Sequence, residues 1–150
     1  MRIYFKTIVP GHYLEVMDAF DRQLFEALDP GIMPMQIKEF TGSKKGDRVR
    51  IGFPFGMEWV SSITDDGADD TQAWFVDEGV QLPPGLGKWH HQHIVEKVDE
   101  SHAAIVDDIR YEGTNIVLTY LLYPFLYLMF WPRKRIYQKY FQRFSTRKAS

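Results

Sequence analysis

The chain has 150 residues and a mass of 17.6 kDa, which is the size of one domain, here read as residues 1–150. Hydrophobic residues make up 45% and charged residues 25%, which excludes disordered, collagen-like and disulfide-rich classes. With no cysteine there is no thiol nucleophile, thiolate metal site or disulfide, and the net charge of −2 hides a strong asymmetry. All 20 acids fall within residues 1–112, whereas residues 113–150 carry seven bases and no acid.

Arg2 to Val9 reads as a strand rich in β-formers, broken by Pro10-Gly11. From His12 to Leu28 apolar residues recur at three- and four-residue steps (Val16, Met17, Phe20, Leu24, Leu28), which predicts one helix with a buried face. Asp29-Pro30-Gly31 ends it. Six strand-like segments follow at hairpin spacing: Met33–Thr41, Arg48–Phe53, Met57–Thr64, Gln72–Glu78, Lys88–Lys97 and His102–Glu112. Their turns are short and rich in Gly, Pro, Asp and Ser, so the segments form an antiparallel meander, not a βαβ sheet. Asp65 to Asp70 is expected to be an acidic loop. Ile116 to Trp131 is almost wholly apolar, and after Pro132 an apolar stripe (Ile136, Tyr137, Tyr140, Phe141, Phe144) runs between basic residues. Strand, helix, six strands and a long helix make an α+β chain. A curved seven-stranded antiparallel sheet wrapped around the last helix, with a cavity between them, satisfies that order.

The Gly42…Gly46-Asp47 turn, Trp59, the run Gly85 through Trp89-His90-His91-Gln92-His93, Asp107-Asp108-Ile109-Arg110-Tyr111 and the long basic C-terminal helix, in this element order, resemble the START-like, or SRPBCC, helix-grip superfamily of ligand-binding domains. Birch-pollen allergens and polyketide cyclases are among its relatives, and the likeness is greatest to small bacterial single-domain members. The resemblance spans nearly the whole chain. It implies a deep apolar cavity between sheet and last helix, and it implies no particular reaction.

Strand alternation places Trp89, His91, His93 and Val95 on one face, and Ile105, Asp107, Ile109 and Tyr111 share a face of the next strand. A three-residue loop at Asp99-Glu100-Ser101 sets His93 opposite Asp107 and Trp89 opposite Tyr111. A carboxylate beside an imidazole fixes its tautomer, as a structural polar pair, a ligand-contacting cluster or a general base would use it. Trp59, Trp74 and Trp89, with Phe53, either fill the core or line a ligand pocket. The candidate ligand-binding residues are therefore Trp59, Trp74, Trp89, His91, His93, Asp107 and Tyr111. No catalytic residue is assigned, since no serine stands in a nucleophile elbow.

His91-x-His93 also has the spacing of a metal pair, but Glu96 comes one residue too early for a cupin pattern. Neither a metal nor a cofactor is expected. Gly42-Ser43-Lys44-Lys45-Gly46 lacks the Gly-Lys-Ser/Thr ending of a phosphate loop and reads as a hairpin turn, and Gly85-x-Gly87 is no dinucleotide fingerprint. The acidic body argues against nucleic acid, and the basic tail is expected to dock on that body or face solvent.

Ile116 to Trp131 allows three settings. A 16-residue helix spans about 24 Å, short of the roughly 30 Å bilayer core, and Pro124 interrupts it. Packing across the sheet, with the remaining face in a homodimer or the cavity, is the expectation. Membrane contact is the alternative, since Arg133-Lys134-Arg135 follows like a positive-inside flank. The start of the chain has no long apolar stretch of the secretory kind, so a cytoplasmic location is the default. The functional expectation is burial of a small apolar or amphipathic molecule. A cyclase- or dehydratase-like enzyme using His93 and Asp107, or a membrane-associated interaction protein, are the alternatives.

Overall fold

A computed structural model describes residues 1–149. The chain runs β1 (Arg2–Pro10), α1 (Tyr13–Asp18), α2 (Arg22–Ala27), β2 (Gln36–Phe40), β3 (Arg48–Gly52), β4 (Glu58–Ala68), β5 (Gln72–Gln81), β6 (Leu86–Lys97), β7 (His102–Gly113), α3 (Ile116–Phe130) and α4 (Arg133–Ala149). All seven strands form one antiparallel sheet in the order β1-β7-β6-β5-β4-β3-β2. Hairpins join the sequential neighbours β2 to β7, and β1 closes onto β7, so only β1 and β2 are edges. The helix-grip architecture expected from the sequence is present: a curved sheet, two short helices and a long C-terminal helical run made of α3 and α4.

Two expectations are corrected. The helix over residues 12–28 divides into α1 and α2, because the Asp21 side chain accepts the Leu24 N–H at 3.0 Å and starts a new helix. The periodicity survives the break, so Val16, Leu24 and Leu28 still bury one face. β4 extends through Asp65 and Asp66, which pair with Val76 and Phe75, so these acids belong to the ladder and not to a loop. The turn is displaced to Asp69, whose carboxylate accepts the backbone N–H groups of Thr71 and Gln72.

α3 packs across the sheet as expected and leaves its remaining face open: Ile116, Val117, Tyr120, Leu121, Leu128 and Trp131 are exposed, Leu121 by 64%. Only Thr119, Leu126 and Phe130 of α3 are buried, because the helix touches β7 and the edge of β6 along one line. The turn at Trp131-Pro132 interrupts the helical run, and α4 then lies against β1.

Two apolar clusters pack between helices and sheet. In one, Tyr137 and Phe141 of α4 meet Val9, Tyr13, Val16, Phe20, Leu24 and Ile105. In the other, Leu126 and Phe130 of α3 meet Ile3, Trp89, Ile109 and Tyr111. The basic tail touches the acidic body at both ends of α4, through Arg133 beside Asp107 and Lys148 beside Glu15.

Candidate functional site

The β6–β7 register sets His93 opposite Asp107 and Trp89 opposite Tyr111, as the three-residue loop requires. The β5–β6 register adds Asp77 opposite His91 and Phe75 opposite His93. Alternation then turns Phe75 and Asp77 to the same concave face as His91 and His93. The result is a polar cluster in the floor of an apolar cavity.

Its hydrogen bonds differ from the expected pair. Asp107 Oδ1 accepts from His91 Nε2 at 2.9 Å, whereas His93 Nδ1 lies 3.6 Å from that oxygen. A short aspartate is reached diagonally by a long side chain two residues along the facing strand, and His91 makes that reach. The close partner of His93 is Asp77, with Nε2 to Oδ2 at 3.0 Å. Asp77 Oδ2 also lies 3.5 Å from His91 Nδ1, and its other oxygen accepts the Trp89 indole N–H at 2.9 Å. The two imidazoles overlap, with ring centroids 3.6 Å apart, and His93 stacks on Phe75 at 4.2 Å.

From α4, Arg133 brings a guanidinium over the Phe130 ring and its Nη1 to 3.6 Å from Asp107 Oδ1. Tyr137 donates to the same oxygen at 3.5 Å. Arg133 Nε and Nη1 and His93 Nδ1 are buried and have no hydrogen-bond partner among the described residues. Such atoms are costly unless something else satisfies them.

Burial by itself would raise both carboxyls. The hydrogen bond from His91 and the charge of Arg133 outweigh it at Asp107, holding that group well below the usual carboxylate range. The hydrogen bond from His93 and the nearness of His91 likewise hold Asp77 down. Burial, reinforced by neighbouring His91, pushes the His93 imidazole down to about 4. Burial and the Asp107 charge push the Tyr137 phenol up, so it stays protonated as a donor.

A cavity of about 120 Å³ opens above this floor. Phe20, Leu24, Trp59, Phe75, Trp89 and Phe130 wall it, and Asp77, His91, His93 and Arg133 form its polar end. Of the candidate residues, Trp59 and Trp89 line it edge-to-face at 4.7 Å, with His91 and His93 beside them. Asp107 lies behind the histidines.

Two candidates lie elsewhere. Trp74 stands on the opposite face of β5, lies across Gly67 and donates its indole N–H to Asp65, because alternation turns Ala73 and Phe75 inward. Tyr111 is buried beneath α3, where its hydroxyl donates to the Thr119 carbonyl at 2.8 Å. It anchors that helix and does not reach the cavity.

Asp77, Arg133 and Tyr137 were not among the candidate ligand-binding residues named from the sequence. Asp77 was readable as an acid on the inward alternation of Ala73 and Phe75. Arg133 sits in a basic run, where nothing local separates a buried arginine from solvated ones.

No protein-family profile and no curated protein matches the chain. Solved structures do. The ZhuI aromatase/cyclase from Streptomyces sp. R1128 superposes with a TM-score of 0.66 at 11% identity, over 95% of this chain and 94% of its own. Norcoclaurine synthase from Thalictrum flavum, in complex with dopamine and hydroxybenzaldehyde, gives 0.58 at 12% identity, over 83% and 76%. A nucleoside-diphosphate sugar epimerase from Corynebacterium glutamicum gives 0.60 at 18% identity over 71% of this chain, which spans only 24% of the epimerase's length. At such identities the likeness shows the fold alone, and that fold is the helix-grip architecture expected from the sequence.

Proposed function

We propose that the protein binds one small amphipathic molecule in the cavity between the concave sheet and its helices. The apolar body is desolvated against Trp59, Phe75, Trp89 and Phe130, and an anionic group is taken by Arg133. The observation that carries this reading is that Arg133 Nε and Nη1 make no hydrogen bond at the polar end of an otherwise apolar cavity, Nη1 having only the Asp107 charge at 3.6 Å. Buried guanidinium N–H groups call for an acceptor, and a carboxylate, phenolate or enolate oxygen on the ligand supplies one.

The test is a titration of aromatic carboxylates and their uncharged amides, read by tryptophan fluorescence, against wild-type and Arg133→Met protein. The wild type is expected to favour the acid at least tenfold, about 1.4 kcal/mol, and the variant to lose the preference. Equal affinity for acid and amide in the wild type would overturn the assignment to Arg133. Native mass spectrometry of detergent-free protein tests the occupant directly.

A second reading is proton-transfer catalysis, favoured by two imidazole–carboxylate pairs in the cavity floor. Two of the superposed structures bear the names of a cyclase and a synthase. Under it His93→Gln abolishes turnover while ligand still binds. A role at a lipid surface is the third, resting on the exposed apolar side of α3 with Tyr120, Tyr127 and Trp131. By length and composition, 116–149 is also a stretch that could cross a membrane. Co-sedimentation with anionic vesicles, lost in Leu121→Glu, supports that role, whereas a dimer in solution without vesicle binding points to a second copy of the chain on this face.

A further inference from the structure

The cavity floor has an electrostatic inconsistency that points to an ion. With Asp107 Oδ1 accepting from His91 Nε2 at 2.9 Å, that imidazole carries its proton on Nε2. Its Nδ1 lone pair then faces Asp77 Oδ2 at 3.5 Å. His93 donates from Nε2 to that same Oδ2, so its Nδ1 lone pair faces Asp107 Oδ1 at 3.6 Å, with no partner among the described residues. Two lone pairs thus confront two carboxylate oxygens. One added proton cures one confrontation. Two protons cure both, but they make two imidazolium rings with centroids only 3.6 Å apart, buried together.

We propose that Asp77, His91 and His93 form a binding site for one divalent transition-metal ion of the zinc class. A single dication between His91 Nδ1, His93 Nε2 and Asp77 Oδ2 removes both confrontations. His91 keeps its Nε2 proton on Asp107, and the His93 proton moves to Nδ1, where it faces Asp107 Oδ1. The three residues each offer a ligand atom within 4.8 Å of the others, and Asp77 Oδ2 stands 3.0 Å from His93 Nε2 and 3.5 Å from His91 Nδ1. Around a tetrahedral ion with ligands at about 2.0–2.2 Å these atoms would stand roughly 3.3–3.6 Å apart, and the two overlapping rings would have to swing apart so that both lone pairs point at the ion.

The surroundings already have the form of an outer shell. Asp107 accepts from the far nitrogen of His91, and Trp89 donates to the far oxygen of Asp77, which orients each ligand by its second polar atom. Two imidazoles and one carboxylate form the donor set of three-ligand sites whose remaining position is open to water or substrate. Here that position faces the cavity, since all three ligands line it. The sequence contained the His91-x-His93 pair, but the third ligand, Asp77, is fourteen residues before His91 on β5 and becomes a neighbour only through the β5–β6 register. This inference goes beyond the ligand reading, which rests on Arg133 and stands or falls separately.

The test uses full-length protein without an affinity tag, stripped with EDTA and titrated with Zn²⁺ and, in parallel, Co²⁺. The expected result is one tightly held ion per chain by elemental analysis, with Co²⁺ giving the intense visible bands of a low-coordinate nitrogen–oxygen site. Asp77→Asn and His93→Gln should each weaken binding at least 100-fold, and Asp107→Asn, which keeps all three ligands, by about 10–100-fold. His90→Gln, on the other face of β6, should change nothing. A wild-type protein that retains no more ion than His93→Gln, or a Co²⁺ spectrum indistinguishable from the free aquo ion, overturns the proposal. The spectrum decides even if a variant fails to fold.

Discussion

Asp107→Asn isolates the electrostatics of the cavity floor with little change of volume. Asparagine can still accept the His91 Nε2–H through its amide oxygen, so no new orphan is made at that atom. What disappears is the charge 3.6 Å from Arg133 Nη1 and the charge assistance of the His91 bond. At an effective dielectric near 20 the lost Arg133–Asp107 attraction is about 4–5 kcal/mol gross. The desolvation that the Asp107 carboxylate no longer suffers returns part of this, while Arg133 remains buried beside Phe130 with its nearest countercharge gone. The net expectation for metal-free protein is a loss of about 3 kcal/mol, or about 6–12 °C in Tm for a chain of this size. Urea unfolding of the wild type, Asp107→Asn, Arg133→Met and the double variant measures it, with a coupling of about 2 kcal/mol expected from the cycle. A loss below about 1 kcal/mol for Asp107→Asn, or additive single changes, would refute the claim that the two charges depend on each other.

Other changes probe different parts of the molecule. The His93 imidazole, held near 4 in the fold against about 6.5 unfolded, keeps its stabilising effect above pH 6.5 and loses it as pH falls toward 4. Metal-free protein should therefore lose about 3 kcal/mol across that window, with His93→Gln flattening the curve; a flat wild-type urea midpoint between pH 7 and 4.5 sinks the assignment. Asp77 and Asp107, held low, lose their contribution only at more acid pH. Gly113→Ala should cost at least about 1–3 kcal/mol by thermal melt, because the new Cβ would stand 2.5 Å from the Thr119 nitrogen where β7 hands over to α3. Phe55, at φ +64° and 99% exposed on the β3–β4 connection, tolerates a left-handed conformation poorly. Phe55→Asn should raise stability by about 0.5–1 kcal/mol, and a lower Tm would contradict the strain.

The strand order was legible because each segment alternates over a length that short turns bound. The β6–β7 pairing was legible for a similar reason: Asp99-Glu100-Ser101 leaves the hairpin one simple register, which puts His93 across from Asp107. The helix over residues 12–28 misled because apolar spacing records which face is buried, not whether the backbone is continuous, and a capping aspartate interrupts it. The extension of β4 was hidden because Asp65 and Asp66 resemble loop residues in composition, yet the ladder uses only their backbone.

The chemistry of the floor follows a different rule. Element order and strand alternation by themselves determined an α+β chain with Trp89, His91 and His93 on one face of a strand and Asp107 across from them on the next. Tertiary structure decided which of them meet. Asp77 joins through a neighbouring strand, Arg133 and Tyr137 descend from a helix that follows β7, and Trp74 and Tyr111 are drawn to other tasks. A hydrogen bond or an ion pair depends on separations of a few tenths of an ångström between atoms distant in sequence, and periodicity carries no information at that scale. Hydrophobic burial is non-directional and additive along a face, so it can be read from one strand at a time. A polar site needs several strands and a helix at once.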